Sequence, residues 1–268
     1  MPLLDRFNRK ITYLRISVTD RCNFRCTYCM PEDGTPFTAK NEILSFEEIV
    51  DVVKTGAELG IEKVRFTGGE PLIRKGITSL IKQIASIDGI KDLGLTTNGV
   101  FLAKMANELK EAGLHRVNIS LDTLDPDKFR KITRNGNLED VLAGIEAAKK
   151  ANIEPIKINF VRIKGFNESD ESEVREFCKA NNLQLRFIRQ MDLSQGEFYP
   201  VEGGDGGICS KCNRLRLTAN GQLVPCLFSD IGFSFREMGI KEAFYKALNI
   251  KPLEGKHATG HHFYNIGG

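Results

Sequence analysis

Residues 13–29 read Tyr-Leu-Arg-Ile-Ser-Val-Thr-Asp-Arg-Cys-Asn-Phe-Arg-Cys-Thr-Tyr-Cys. The run from Tyr13 to Val18 has the length and apolar content of a buried strand. It opens directly into a polar loop carrying Cys22, Cys26 and Cys29, three thiols at spacings x3 and x2. A strand that delivers three thiols at its end sets the plan for the rest of the chain.

Five further apolar runs read as strands: Lys63 to Thr67, Leu93 to Thr96, Arg116 to Leu121, Pro155 to Val161 and Leu183 to Ile188. Helical periodicity lies between most of them. The clearest helix starts at Ser45, with Glu48 three residues on as a capping box, and stops at Gly60. Others fit Ile77 to Ile87, Ala103 to Ala112, Leu138 to Ala148 and Glu171 to Asn181. Six strands alternating with helices predict an α/β fold with a parallel sheet, curled into an open or closed barrel. The alternation fails after about Met191. Residues 192–212 are rich in Gly, Asp and Ser, and a hairpin around Asn220-Gly221 and a helix from Ile240 to Leu248 follow. The main boundary is expected near residue 190, dividing the chain into 1–190 and 191–268.

The chain has 268 residues, 41% hydrophobic and 27% charged, with 38 Lys and Arg against 35 Asp and Glu. A net charge of only +3 gives no global signal for nucleic acid or a membrane surface. No apolar run approaches the ~18–20 residues that span a bilayer. The first residues lack an apolar stretch of signal length, so a cytoplasmic protein is expected.

In a reducing compartment grouped thiols signal metal or redox chemistry rather than disulfides. Of the seven cysteines, Cys178 falls inside a helical pattern and reads as a buried structural residue. Cys22, Cys26 and Cys29 suit a cubane iron–sulfur cluster with one iron left open, since a closed zinc site wants a fourth ligand that is not near. Cys209, Cys212 and Cys226 offer a second set of three; there zinc is the alternative, with His257, His261 or His262 as fourth ligand. Arg214 and Arg216, two apart on a strand, share a face suited to a polyphosphate or a purine edge. Lys157 interrupts an apolar strand on the face of Asn159, where the plain alternative is an edge-strand guard.

The first triplet, with Tyr28 before its last cysteine, resembles the signature of the radical S-adenosylmethionine (SAM) superfamily. Gly68-Gly69-Glu70-Pro71 resembles that superfamily's GGEP element, which binds the SAM amino group. The stretch Leu14 to Cys22, the segment Cys212-Asn213-Arg214-Leu215-Arg216-Leu217-Thr218-Ala219 and the final Gly267-Gly268 resemble the MoaA family, the GTP 3′,8-cyclases of molybdenum cofactor biosynthesis. The resemblance implies a partial (βα)6 TIM-like radical SAM barrel over 1–190, with a small C-terminal region, 191–268, for an auxiliary iron–sulfur cluster and substrate.

It implies two [4Fe-4S] clusters, held by Cys22, Cys26 and Cys29 and by Cys209, Cys212 and Cys226. Tyr28, Gly68, Gly69, Glu70, Ser120 and Met191 surround SAM. Arg15, Arg65, Thr96, Lys157, Arg214 and Arg216 contact GTP, and Arg186 joins them. Arg214 and Arg216, with Gly267 and Gly268 threaded into the site, are the implied catalytic residues. The implied reaction is lyase chemistry: a 5′-deoxyadenosyl radical takes hydrogen from ribose carbon 3′, and that carbon attacks guanine carbon 8. Its implied partners are GTP and a low-potential electron donor, with a homodimer as an option and neither nucleic acid nor membrane involved.

The sequence also departs from the family. The stretch from Asp192 to Gly207 is several tens of residues shorter than expected, and Arg189-Gln190 replaces an acidic residue after Arg186-Phe187-Ile188. The alternative is therefore a related radical SAM enzyme acting on another nucleotide or on a peptide.

Overall fold

The computed structural model describes residues 3–31, 36–193, 195–196, 199–259 and 263–266. The first strand, β1 (Tyr13–Ser17), leads through the cysteine loop to α1 (Phe46–Glu58) and β2 (Lys63–Thr67). There follow α2 (Ile77–Ala85), β3 (Asp92–Thr97), α3 (Leu102–Glu111) and β4 (Arg116–Ser120). Next come α4 (Pro126–Thr133), α5 (Leu138–Lys150), β5 (Ile156–Arg162), α6 (Glu171–Ala180) and β6 (Gln184–Arg189). The chain continues with β7 (Arg214–Leu217), β8 (Gln222–Val224), β9 (Phe233–Ser234), α7 (Phe235–Met238), α8 (Ile240–Asn249) and α9 (Phe263–Ile266).

The strands form one sheet in the order β6-β5-β4-β3-β2-β1-β7-β8-β9. From β6 to β7 every pairing is parallel; β8 and β9 are antiparallel. All six expected parallel strands are present, within two residues of the expected ends. The region after residue 190 does not build a separate layer: β7 pairs alongside β1, so the hairpin extends the same sheet. Cys178 is buried in α6, as expected.

Strand alternation separates two environments. Leu14, Ile16, Val64, Phe66, Leu93, Leu95, Val117 and Ile119 are fully buried in the core with helix residues such as Val52, Leu80, Leu109 and Ile145. Their neighbours along the strands, among them Arg15, Arg65, Thr96 and Asn118, line a cavity on the other face. The capping box that starts α1 is formed: Glu48 N donates to Ser45 Oγ, and Ser45 N to Glu48 Oε2.

The eight-residue α4 was not anticipated. Its interior is dominated by Asp127, Lys128, Arg130 and Lys131, and only Phe129, Ile132 and Thr133 are buried. Asp125 caps it by accepting from the N–H groups of Asp127 and Lys128, and Pro126 sits in its first turn.

The α3–α5 contact depends on Gly144. A Cβ there would lie 2.1 Å from the carbonyl oxygen of Gly99. Helix propensity alone favours alanine over a mid-helix glycine by about 0.5–1 kcal/mol. The backbone clash reverses that preference. Gly144→Ala is expected to destabilise the chain by about 3 kcal/mol, read as a lower denaturation midpoint at unchanged slope.

Candidate functional site

The cysteine loop is held from two sides. Gly69 N donates to Thr19 O and Glu70 N to Arg21 O, both at 2.8 Å. An added Cβ on Gly68 would lie 2.3 Å from Thr19 O, and one on Gly69 the same distance from Arg21 O. The glycine pair therefore lets the end of β2 lie against the start of the loop, backbone to backbone. On the other side, Arg25 N and Thr27 N donate to Thr133 O and Ile132 O at the end of α4. Arg134 Nη1 donates to Arg25 O and Met30 O, and Phe24 packs edge-on against Phe129 at 5.9 Å.

The three thiols share a cavity of about 210 Å³ with Tyr28, Gly68, Gly69, Glu70, Ser120 and Met191. Burial pushes the Cys22 thiol up to about 11 and Cys29 to about 12, and raises Cys26 well above its ordinary value, where neighbouring Asp122 and the other cysteines add to the effect. A bound metal is what keeps such thiols ionised. Among the described residues no three His, Cys, Asp or Glu side chains converge tightly enough for one ion. The triplet, spread round one cavity yet within mutual electrostatic reach, fits a multi-iron cluster.

Two buried carboxyls stand beside these thiols. Glu70 accepts from Leu72 N, Asn98 N and Thr97 Oγ1; burial still pushes its carboxyl up to about 7. Asp122, raised to about 6 by burial, accepts from Val161 N and from Tyr28 Oη, both at 2.7 Å. Burial and the Asp122 charge hold the Tyr28 phenol protonated, so it remains a donor.

A second cavity, about 280 Å³, adjoins the first; Thr96, Asn159, Ile188 and Met191 line both. Its walls carry Arg15, Lys63, Arg65, Arg116, Lys157, Arg186, Arg214, Arg216 and Lys251, with Asp205 the one carboxylate among the described residues lining it. Register explains the crowding: Arg216, Arg15 and Arg65 are lateral neighbours on β7, β1 and β2. Burial, reinforced by Arg216 and Arg65, holds the Arg15 guanidinium far below its ordinary value. Lys157 is pushed down to about 8 by burial and then by Arg186 and Arg116, and Arg216 to about 10, mainly by burial. Tyr13 lies between Lys63 and Arg214, and falls to about 8 because Arg65, Arg15 and Arg214 outweigh its burial. Among the described residues the buried Nε atoms of Arg65, Arg186 and Arg214 find no hydrogen-bond partner. Such a cavity is built for a polyanion.

Cys209, Cys212 and Cys226 line this same cationic cavity. Burial would raise Cys212, but Lys251, the backbone N–H of Arg214 and the Arg214 charge overcome it and lower the thiol. The C-terminal helix reaches this wall: Arg216 Nη1 donates to Ile266 O at 3.4 Å, and Ile266 is buried. Phe263 borders the thiol cavity.

Every residue nominated for the clusters, SAM or GTP within the described chain lines one of the two cavities. His257, the described histidine offered as a fourth zinc ligand, lines neither, and Gly267, Gly268, His261 and His262 lie outside the described residues. The structure adds Tyr13, Lys63, Arg116, Asn118 and Lys251 to the cationic wall. Period 2 carries the signal for four of them, since Tyr13 stands two before Arg15, Lys63 two before Arg65, and Arg116 and Asn118 four and two before Ser120.

The radical SAM superfamily model matches residues 16–178. The chain is 43% identical to the GTP 3′,8-cyclase of Thermodesulfovibrio yellowstonii, covering 92% of this chain and 94% of that protein. It is 40% identical to the GTP 3′,8-cyclase of Petrotoga mobilis, over 98% and 95%. The first alignment runs over 302 positions against a chain of 268, so the relative carries residues that this chain lacks. Among solved structures, anSMEcpe with bound AdoMet superposes with a TM-score of 0.66 at 17% identity, over 88% of this chain and 79% of that one. Streptococcus suis SuiB bound to S-adenosylmethionine gives 0.64 at 15% identity, over 92% and 66%. These two likenesses establish the fold, and the sequence relatives the family: the chain belongs to the GTP 3′,8-cyclase family of the radical SAM superfamily.

Proposed function

We propose that this chain converts GTP to (8S)-3′,8-cyclo-7,8-dihydroguanosine 5′-triphosphate, in the first cavity holding SAM and in the second GTP. The observation that carries this reading is the shared wall of Thr96, Asn159, Ile188 and Met191 between a thiol-lined cavity and a cation-lined one. As a radical SAM protein the chain uses SAM and an iron–sulfur cluster; when bound, that pair supplies the 5′-deoxyadenosyl radical.

Cys22, Cys26 and Cys29 hold the cluster, while Tyr28, Gly68, Gly69, Glu70, Ser120 and Met191 surround SAM. Arg15, Arg65, Lys157, Arg186, Arg214 and Arg216, with Thr96, bind the substrate. A triphosphate carries close to four negative charges, and guanidiniums offer it paired donors. Adjacent strands stand ~4.8 Å apart, so Arg216, Arg15 and Arg65 form a preset row of cations. Ile188 and Met191 give the shared wall an apolar part, which restricts water where the ribose must meet the radical. Residues 191–268 serve as the auxiliary-cluster and substrate region, with Cys209, Cys212 and Cys226 as the second set of ligands. Gly267 and Gly268 follow the segment that Arg216 holds, and are assigned to the substrate side of the site. A low-potential donor supplies the electron, and the cytoplasm is the assigned compartment; a homodimer is compatible with this reading.

The decisive assay is anaerobic, with reconstituted protein, SAM, dithionite and GTP deuterated at ribose carbon 3′. Deuterium in 5′-deoxyadenosine together with a cyclised nucleotide is the expected result. SAM cleavage without deuterium transfer would move the substrate to another nucleotide or a peptide. Failure to cleave SAM with both clusters loaded would overturn the reading.

Arg214→Ala should weaken GTP binding about 30- to 100-fold, equivalent to ~2–3 kcal/mol, measured by equilibrium dialysis, while SAM binding stays unchanged. Glu70 gives a pH signature. The SAM ammonium favours the ionised carboxyl, which in the free protein forms as pH rises through about 7. Affinity for SAM is therefore expected to increase about tenfold between pH 6 and pH 8, and Glu70→Gln should remove that dependence.

A further inference from the structure

Just beyond α8, Lys251 is 1% exposed, and it ranks among the largest fully buried side chains of the molecule. A buried ammonium is costly unless its charge and its donors are matched. Its three N–H groups are all accounted for. Nζ donates to Pro225 O at 2.7 Å and Arg214 O at 2.8 Å, and stands 3.5 Å from Cys212 Sγ. Two of these contacts are to neutral carbonyls. Among the described residues no carboxylate lies within ion-pair distance of it.

Arg9, a second buried cation behind the same cysteines, provides a contrast. Its Nε is paired with Asp5 Oδ2 at 2.6 Å, and its remaining donors reach Cys209 O, Pro252 O and Leu253 O. Arg9 therefore arrives neutralised and acts on backbone alone. Lys251 arrives with its charge uncompensated, directed at the sulfur of one cysteine and holding the residue just before another, Cys226. Three thiolates on an iron–sulfur core make a net anion, and that anion supplies the missing countercharge.

We infer that Lys251 is a positioning residue for the second iron–sulfur cluster, supplying its Cys212 sulfur with a hydrogen bond and a positive charge that favour the reduced state. This rests on the assignment of Cys209, Cys212 and Cys226 as cluster ligands. A cation and an N–H donor at a ligand sulfur stabilise the added electron and so raise the reduction potential. Arg9 shapes the Cys209 turn without that effect.

The test starts from the full chain with Cys22, Cys26 and Cys29 all replaced by alanine, so that only the second cluster remains. That parent is reconstituted anaerobically with iron and sulfide, then titrated with dithionite and followed by electron paramagnetic resonance. A folded parent that takes up no iron would sink the ligand assignment itself. With the parent loaded, Lys251→Met is compared with Lys251→Arg. The Met variant, of similar length but uncharged, should show a more negative midpoint and lose iron to a chelator about ten- to a hundredfold faster. The Arg variant should keep the parental midpoint. A Met variant that cannot be loaded beside a loaded Arg variant also supports the charge role. A parental midpoint in the Met variant, an equal shift in both, or loss of the cluster from both while folded by circular dichroism would overturn the inference.

Discussion

Like charges crowded on the inner face of β7, β1 and β2 impose the constraint that the rest of the molecule accommodates. Arg216, Arg15 and Arg65 are lateral neighbours in parallel register, an arrangement that disfavours the sheet on its own. The opposite face offsets it: Leu14, Ile16, Val64, Phe66, Leu215 and Leu217 are fully buried in the helical layer. Local devices then fit the cations into place. Gly94, next in register to Arg65, leaves open the space where a Cβ would meet the Arg65 guanidinium at 3.2 Å. Asp92 pairs with both Lys63 and Arg116 at the far end of the strands. The positive field exists before any ligand arrives, so a polyanion binds without having to assemble its receptor.

The two cavities differ in charge: among the described residues the first is lined by Glu70, Asp122 and Arg189, and the second by nine cations against Asp205. The SAM proposed for the first cavity would bring a sulfonium and an ammonium to Glu70 and Asp122. The GTP proposed for the other cavity would bring its phosphates to the arginines. The wall between them carries no charge, being Thr96, Asn159, Ile188 and Met191. Each thiol triplet shares its cavity's electrostatics: Cys26 feels Asp122, whereas Cys212 feels Lys251 and Arg214. Charge sorting of this kind lets two small molecules dock side by side without exchanging places.

The strands and both cysteine triplets were legible because their signals are local: a period of two, and thiols within one loop or one hairpin. The paired Arg214 and Arg216 were legible for the same reason. Helix α4 was not, since a short helix with a charged exterior has little apolar periodicity, and its value lies in the carbonyls with which it pins the cysteine loop. Lys251 was invisible in the sequence because all its partners are 26 to 39 residues away. Gly94 likewise has meaning only once Arg65 and Arg116 are placed on either side of it. Gly68 and Gly69 line the thiol cavity and also make a close backbone contact with the cysteine loop, a second role that a sequence does not reveal.

The glycine-rich stretch after β6 walls one side of the cationic cavity. Parallel strand β6 is an edge of the sheet, and an edge needs cover. Glu202 and Phe187 exchange backbone hydrogen bonds at 3.1 Å, laying the stretch back along β6. Gly203, at a φ of 77°, passes so close that a Cβ would meet Leu185 O at 2.4 Å. Arg162 fastens the arrangement by pairing with both Glu171 and Glu202. The chain then turns into the cationic cavity, where Asp205 O accepts from Arg214 Nη2 at 3.1 Å and Gly206, Gly207 and Ile208 join the lining. Glycine's lack of a side chain thus lets the backbone itself approach β6, cover its edge and supply the carbonyl that orients Arg214. The wall on this side combines closely approaching backbone with the side chains of Tyr199, Val201 and Ile208, and it holds Arg214 in place on the cationic cavity.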